Sequence, residues 1–200
     1  MYVNEFNLLS KMKWNYEDYI KWKNEGCQIN LDVLELHISN RNIKSLEGIN
    51  NLNNLQTLNC YNNKIQSLKP INNLNNLKIL DCSFNYVASL EGIHNLRFLQ
   101  VLYFHNNKIR SLEGTHNLTN LQILYCSHNQ IESLLHINNL TNLRELYCND
   151  NQIMSLKGIN NLVNLKKLYC YDNQIRSFEE IINLTNLEQI YYHNNPIDYI

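Results

Sequence analysis

The sequence lacks several features that would assign the protein to a common functional class. Its apolar runs fall far short of the roughly 18 consecutive residues that a membrane span needs. Its 17 lysine and arginine residues nearly balance 18 aspartate and glutamate residues, so that the net charge is −1. Nucleic-acid-binding domains usually carry a basic excess or a basic stripe, and neither occurs here. We therefore expect no membrane span and no nucleic-acid partner.

The amino-terminal sequence MYVNEF also lacks the pattern of a secretory signal, because it has neither a basic nor an apolar segment. We therefore expect an intracellular protein. A hydrophobic fraction of 44% allows a substantial core, and a length of 200 residues suits one structural domain.

One motif repeats without insertion along most of the chain. The pattern L-x-x-L-x-x-L-x-C-x-x-N-x-I-x-S-L-x-x-I recurs every 22 residues from Leu52 onward. The first leucines of the copies are Leu52, Leu74, Leu96, Leu118, Leu140, Leu162 and Leu184. An earlier, degenerate copy has Arg41 where the later copies have asparagine. Residues 29–200 thus form eight repeats, and residues 1–28 precede them.

Side-chain alternation along a strand predicts which columns of the repeat face the core. The third leucine and the cysteine, such as Leu58 and Cys60, are two residues apart and point the same way. No single repeat can bury its own apolar face, so the repeats must stack into a curved parallel sheet with 3₁₀ or irregular segments behind it. We predict buried, reduced thiols in the inward cysteine column, which comprises Cys60, Cys82, Cys126, Cys148 and Cys170.

Two polar columns are predicted to stabilise the turns of the stack. An asparagine column runs from Asn63 to Asn195, where the chain leaves each strand. A side-chain amide both donates and accepts, so that stacked asparagines can satisfy backbone groups of the bend from one repeat to the next. A serine column from Ser45 to Ser177 is predicted to bond the backbone of the convex turns.

The repeat resembles the 22-residue class of leucine-rich repeats, which is found in bacterial internalins and in a regulatory subunit of type-1 protein phosphatase. This resemblance covers residues 29–200 and implies a right-handed α/β solenoid with a parallel sheet on its concave side. The asparagine- and tyrosine-rich composition, with cysteine in the inward column, also resembles repeat proteins of giant DNA viruses. That second resemblance implies a viral protein in the cytoplasm of an infected host cell, with a host protein as its partner.

The two ends of the stack are predicted to differ. Asn15, followed by Asp18 and later by Gly26, is typical of a short capped helix that protects the first repeat. A preceding apolar segment predicts a second helix and comprises Phe6, Leu8, Leu9 and Met12. No polar cap is visible between Pro196 and Ile200, so that this end suits weak self-association.

The outward strand position predicts a binding surface. The residue between the inward leucine and the inward cysteine faces the concave side. Its column ends in five consecutive tyrosines, namely Tyr103, Tyr125, Tyr147, Tyr169 and Tyr191. Tyrosine supplies contact area and a hydroxyl at a low cost in side-chain entropy, and we expect exposed rings. The flanking outward columns add further candidate contacts, namely His105, His128, Asp150, Tyr171, Asp172 and His193, together with Asn149.

The chemistry of these columns favours binding over catalysis. No nucleophile, base and orienting group recur at a usable spacing, so we predict a protein that is not an enzyme and needs no cofactor. His128, Asp150 and Asp172 share one column, but an open sheet offers no enclosed metal pocket, and we interpret them as solvated residues. The predicted function is protein binding by the tyrosine column. Carbohydrate binding, a structural or self-associating role, and tyrosines that only pack on one another remain alternatives.

Overall fold

The computed structural model describes residues 13–30 and 32–198. Nine short strands form one parallel sheet, in which each strand pairs with the next along the chain. They are β1 (Lys13–Trp14), β2 (Glu35–His37), β3 (Thr57–Asn59), β4 (Ile79–Asp81), β5 (Val101–Tyr103), β6 (Ile123–Tyr125), β7 (Glu145–Tyr147), β8 (Lys167–Tyr169) and β9 (Gln189–Tyr191). Leu36 pairs with Leu58, and Leu58 with Leu80, which are offsets of one repeat. The predicted solenoid with a parallel sheet on its concave side is confirmed.

The sheet has one strand more than the eight repeats predict. β1 lies in the segment for which the sequence predicts only helix, and Trp14 pairs with Leu36 in the same register as the later strands. Two residues are too short to show an alternating pattern, so that periodicity does not reveal this strand. The second helix predicted between Phe6 and Met12 lies outside the described residues.

A helix packs beside the first two strands. α1 (Tyr16–Asn24) begins with a capping box, in which the Asp18 N–H donates to Asn15 Oδ1 at 3.0 Å and the Asn15 N–H donates to Asp18 Oδ2 at 3.2 Å. Its inner face buries Tyr19 and Trp22, and the Trp22 ring lies 5.8 Å from the Trp14 ring. The predicted helical cap is confirmed here. Within the described ranges, no helix is long and apolar enough to cross a membrane.

The core consists of aliphatic columns that repeat along the solenoid axis. Leu58, Ile65 and Leu68, for example, are completely buried, as are their counterparts in the middle repeats. The five cysteines of the inward column are buried as predicted, and Phe104 fills that column in one repeat. Burial raises the pKa of these thiols, to about 12 for Cys170, so that they remain protonated at neutral pH.

The convex side consists of short turns and four 3₁₀ helices, at Ile49–Asn51, Lys69–Ile71, Leu135–Ile137 and Glu179–Ile181. The predicted serine bonding is confirmed. The Leu135 N–H donates to Ser133 Oγ at 3.2 Å, and the other six serines of the column accept in the same way. Gly92 has φ +111°, and a Cβ there would overlap the Leu68 carbonyl oxygen, so that this turn requires glycine.

The inner asparagine column, from Asn63 to Asn195, connects successive repeats through backbone groups. The Asn129 amide nitrogen donates to the carbonyl oxygens of Phe104, Cys126 and Ser127, each at 3.1 Å. Its oxygen accepts from the Ile109 N–H at 2.9 Å. The same pattern recurs at Asn63, Asn85, Asn107, Asn151, Asn173 and Asn195. These amides satisfy buried backbone groups that would otherwise lack partners.

A second asparagine column lies at the other end of the strands, in the turn that precedes each strand. Asn120 Nδ2 donates to the Arg97 carbonyl oxygen at 2.8 Å. Equivalent bonds are made by Asn76, Asn142, Asn164 and Asn186. Phe98 stands in this column in one repeat and is 58% exposed. Amide-to-backbone bonds therefore connect successive repeats both before and after each strand.

Candidate functional site

The five tyrosines form a continuous row across the strands, because the parallel register places each ring beside the ring of the next repeat. Tyr125 and Tyr147 are stacked with ring centroids 4.5 Å apart and an interplanar angle of 14°. The two following pairs, up to Tyr191, are stacked at 4.6 Å. Tyr103 lies 6.1 Å from Tyr125 with its ring tilted by 55°. We call Tyr125, Tyr147, Tyr169 and Tyr191 the tyrosine stack.

The exposure of these rings differs from the expectation. Tyr125, Tyr147 and Tyr169 are half-buried, whereas Tyr191 is 46% exposed. Alternation correctly predicts the face on which a side chain lies, but rings that stack at this distance cover one another's faces. The three inner rings therefore present mainly their edges and hydroxyls to a partner.

A polar cluster holds the middle of the tyrosine stack. The Tyr147 hydroxyl donates to Glu145 Oε2 at 2.8 Å, and Lys167 Nζ donates to Glu145 Oε1 at 3.0 Å. Burial alone would raise the pKa of Glu145, but the hydrogen bonds from Lys167 and Tyr147 outweigh it and lower this pKa. Burial, together with the bond to the carboxylate, raises the pKa of Tyr147. At neutral pH, Glu145 and Lys167 therefore form an ion pair, and the Glu145 carboxylate accepts a hydrogen bond from the neutral Tyr147 hydroxyl.

The flanking histidines and Tyr171 join the aromatic surface. His105 lies 4.8 Å from the Tyr125 ring, and its Nδ1 is 2.8 Å from Ser83 Oγ. Burial lowers the pKa of His105, so that it is neutral at pH 7. Tyr171 and His193 stack at 4.6 Å with an interplanar angle of 8°. Of these three predicted contacts, His105 packs directly on the tyrosine stack, whereas Tyr171 and His193 form a separate stacked pair.

Asn149 is a correction to the predicted surface. The sequence places it in the same outward column as His105, yet it is only 4% exposed. Its Oδ1 accepts from Ser127 Oγ at 2.6 Å, and its Nδ2 donates to Asp150 Oδ2 at 2.6 Å. Because its polar atoms bond the side chains of Ser127 and Asp150, Asn149 is part of the structural framework and is not an exposed contact residue.

The column that holds His128, Asp150 and Asp172 has a backbone explanation. All eight positions of this column have φ between +50° and +60°, and they are Asn40, Asn62, Phe84, Asn106, His128, Asp150, Asp172 and Asn194. Asparagine, aspartate and histidine are the side chains that best tolerate this left-handed conformation. His128 Nε2 lies 3.5 Å from Asp150 Oδ2, while Asn194 Nδ2 donates to Asp172 Oδ1 at 2.8 Å. Among the described residues, no group of three or more histidine, cysteine or acidic side chains is arranged to hold a metal ion.

Sequence reasoning missed two aromatic residues that extend the surface. Phe84 lies 5.2 Å from the rings of both Tyr61 and His105, so that aromatic contacts run unbroken from Tyr61 to the tyrosine stack. The available signal was Phe84 itself, since it departs from a column that otherwise contains asparagine, aspartate and histidine.

Comparisons with known proteins agree with this architecture. A family model described as "Leucine Rich repeats (2 copies)" matches residues 53–95, 75–118, 97–140, 119–161 and 141–183. An internalin from Listeria monocytogenes is similar with a TM-score of 0.79 and 30% identity, over 84% of this chain and 50% of its own. Internalin C2 from the same organism gives a TM-score of 0.66 and 30% identity, over 80% and 81% of the two chains.

A more distant similarity concerns the fold alone. A plant peptide hormone receptor, solved in complex with RGF2, gives a TM-score of 0.74 at 23% identity, over 83% of this chain and 29% of its own. The present chain thus spans half the length of the first internalin and less of the receptor. No curated protein sequence matches significantly.

Proposed function

Because the chain belongs to the leucine-rich-repeat family, we propose that it is a non-catalytic interaction module that binds a protein on the concave face formed by Tyr103 and the tyrosine stack. Leucine-rich-repeat proteins are generally protein-interaction modules, and the plant receptor in complex with RGF2 is an example. The observation that carries the proposal is the stack itself, in which four tyrosines are held in one row at 4.5 to 4.6 Å. Rigid, amphipathic rings give contact area at little entropic cost.

The remaining predicted contacts define the edges of this surface. His105 packs against Tyr125, and Tyr171 and His193 stack on each other in the same outward column as His105. His128, Asp150 and Asp172 lie in the next column along the chain. The resemblance to viral repeat proteins supports a cytoplasmic protein of the host cell as the partner. The near balance of charge favours a protein over a nucleic acid.

Carbohydrate binding is the less favoured alternative. Sugars bind aromatic residues through the ring faces, and in the tyrosine stack neighbouring rings cover the faces of Tyr147 and Tyr169. Tyr191, at the end of the stack, is 46% exposed. A glycan array probed with the wild-type chain tests this alternative, and we expect no specific binding.

Self-association through the last described repeat is a second candidate. Tyr191 and Tyr192 are each 46% exposed, and Ile182 is 74% exposed, whereas α1 covers the first repeat. Sedimentation velocity over a range of protein concentrations should show weak dimers that disappear in Ile182→Ser. A monomer at all concentrations would exclude this role.

The proposal is tested by affinity purification from host-cell extract with wild type and a Tyr125/Tyr147/Tyr169→Ser variant. Loss of a central aromatic anchor typically costs about 2 kcal/mol, so that the triple variant should lose the partner. The matched control changes three exposed apolar side chains away from the concave strands, namely Leu135, Met154 and Val163, to serine. This control should retain the partner.

The half-buried stack also supports the fold, so stability has to be measured alongside binding. Aromatic pairs contribute about 0.5–1.5 kcal/mol each beyond area burial, and we expect the triple variant to lose about 2–3 kcal/mol in urea unfolding. A Tyr125/Tyr147/Tyr169→Phe variant keeps the rings and removes the hydroxyls. A folded serine variant that still captures the partner, or equal loss in the control, would place the binding site elsewhere.

A further inference from the structure

A second exposed surface lies on the edge that follows each strand, outside the tyrosine stack. It centres on Phe84 and Tyr86, which are 40% and 48% exposed. Both depart from the repeat. Phe84 stands where the other repeats have asparagine, aspartate or histidine, and Tyr86 stands where the neighbouring repeats have Lys64 and Lys108.

Contacts within the fold cover the Phe84 ring only in part, because it packs against Tyr61 and His105 and still remains 40% exposed. The φ of Phe84 is +54°, and a bulky side chain without a local hydrogen bond is a rare occupant of this conformation. Elsewhere in the column the side chains bond one another, as Asn62 Nδ2 does to Asn40 Oδ1 at 2.7 Å. Phenylalanine gives up that bonding, and the exposed part of its ring has no contact with another described aromatic residue beyond Tyr61 and His105. A partner that covers this exposed part would account for a phenylalanine at this position.

The surroundings of the two rings are basic. Lys108 Nζ lies 5.2 Å from the centre of the Tyr86 ring. Four exposed cations occupy this edge of the early and middle repeats, namely Lys44, Lys64, Lys108 and Arg110. In the described part of the chain, none of them has an acidic partner within 4.0 Å. We call these four cations with Phe84 and Tyr86 the aromatic-basic rim.

We infer that the aromatic-basic rim binds an acidic segment of a protein, with one aliphatic or aromatic side chain seated against Phe84. The unpaired cations supply charge complementarity, and the adjoining Tyr61 and His105 rings widen the apolar contact. The later repeats carry Glu132, Asp150 and Asp172 on this same edge, and Arg176 there lies 4.0 Å from Asp198. A continuous phosphate backbone would be repelled there, so that a short acidic segment fits better than a nucleic acid.

The probe is a phage-displayed library of random 12-residue peptides, selected on the wild-type protein. Recovered sequences should be enriched in aspartate and glutamate around one apolar residue. Synthetic copies should bind a Phe84→Asn/Tyr86→Gln variant at least about tenfold more weakly, and their binding should weaken with salt. Phe98→Asn is the matched control, because it also replaces an exposed phenylalanine in an asparagine column, and it should bind normally.

Two further measurements separate this inference from its alternatives. Phe84→Asn relieves an unfavourable left-handed backbone but loses the ring contacts with Tyr61 and His105, so its urea midpoint should stay close to that of wild type, and weaker binding cannot then reflect unfolding. The Tyr125/Tyr147/Tyr169→Ser variant should bind the selected peptides as tightly as wild type does. This expectation does not depend on whether the concave face binds a protein, so the two proposals can fail separately. Peptides without acidic enrichment, equal binding by the double variant, or competition by a single-stranded DNA 20-mer would overturn the inference.

Discussion

Asn62 and Asn63 are neighbours of the same residue type, yet their columns behave differently along the whole solenoid. Asn63 is 6% exposed, and its amide bonds backbone groups of two repeats. Asn62 is exposed and has φ +50°, and its side-chain Nδ2 donates to Asn40 Oδ1 at 2.7 Å. The inner column is asparagine in all seven later repeats, whereas the outer column also admits phenylalanine, histidine and aspartate.

The difference shows which physical demand restricts a repeat position. The inner column must both donate to carbonyls and accept from an N–H within a buried bend, and a primary amide of this length meets both demands. The outer column only requires a tolerated left-handed backbone, while its side chain is free to contact solvent or a partner. Variation is therefore concentrated at positions where function can be added without loss of the fold.

The largest effect is expected from Asn129→Leu in the inner column. Four hydrogen bonds disappear, and the Ile109 N–H together with three carbonyl groups loses a partner. We expect a loss of about 3 kcal/mol in the free energy of unfolding, measured by urea denaturation. An unchanged midpoint would remove the distinction between the two columns.

Thiol labelling should report on the inner asparagine column, because these asparagines close one side of the cysteine column. Cys126, Cys148 and Cys170 should alkylate at least about a hundredfold more slowly than half-buried Cys27, since reaction requires local opening and a thiolate. In Asn129→Leu, labelling of Cys126 should accelerate. Equal rates for all cysteines, or a mass that shows thiols oxidised in pairs, would contradict the prediction.

The smallest effect is expected from His128→Asn in the outer column, directly beside Asn129. The substitution keeps a residue that tolerates φ near +52° and removes a 3.5 Å contact between the exposed His128 side chain and the half-buried Asp150 side chain. The free energy of unfolding should change by no more than about 0.5 kcal/mol. A loss as large as that of Asn129→Leu would show that the outer column is structural as well.

Much of the architecture could be predicted because the repeat has no insertions. The 22-residue period determines the register, so that Tyr125 must lie beside Tyr147, and alternation determines that Cys126 points inward. The donor and acceptor inventory of asparagine indicates how the bends are satisfied. β1 escaped prediction because a two-residue strand has no readable period.

The candidate site was less predictable, since alternation gives direction but not exposure. The tyrosine rings cover one another, and Asn149 is enclosed by its bonds to Ser127 and Asp150. In the sequence, His128, Asp150 and Asp172 look like a metal or acid–base site. The structure shows instead that all three have φ near +53°, which histidine and aspartate tolerate.

The 22-residue period predicts the stacking of the repeats, the inward and outward columns and the family resemblance, because each of them can be read along the chain. The outward side chains that stay available to a partner could be identified only in the folded stack. Their availability depends on distances between neighbouring repeats and on backbone angles, as the 4.5 Å Tyr125–Tyr147 stack and the left-handed Phe84 show. Neither quantity is encoded in a one-dimensional period, since both arise from side chains that lie next to each other only after the repeats have stacked.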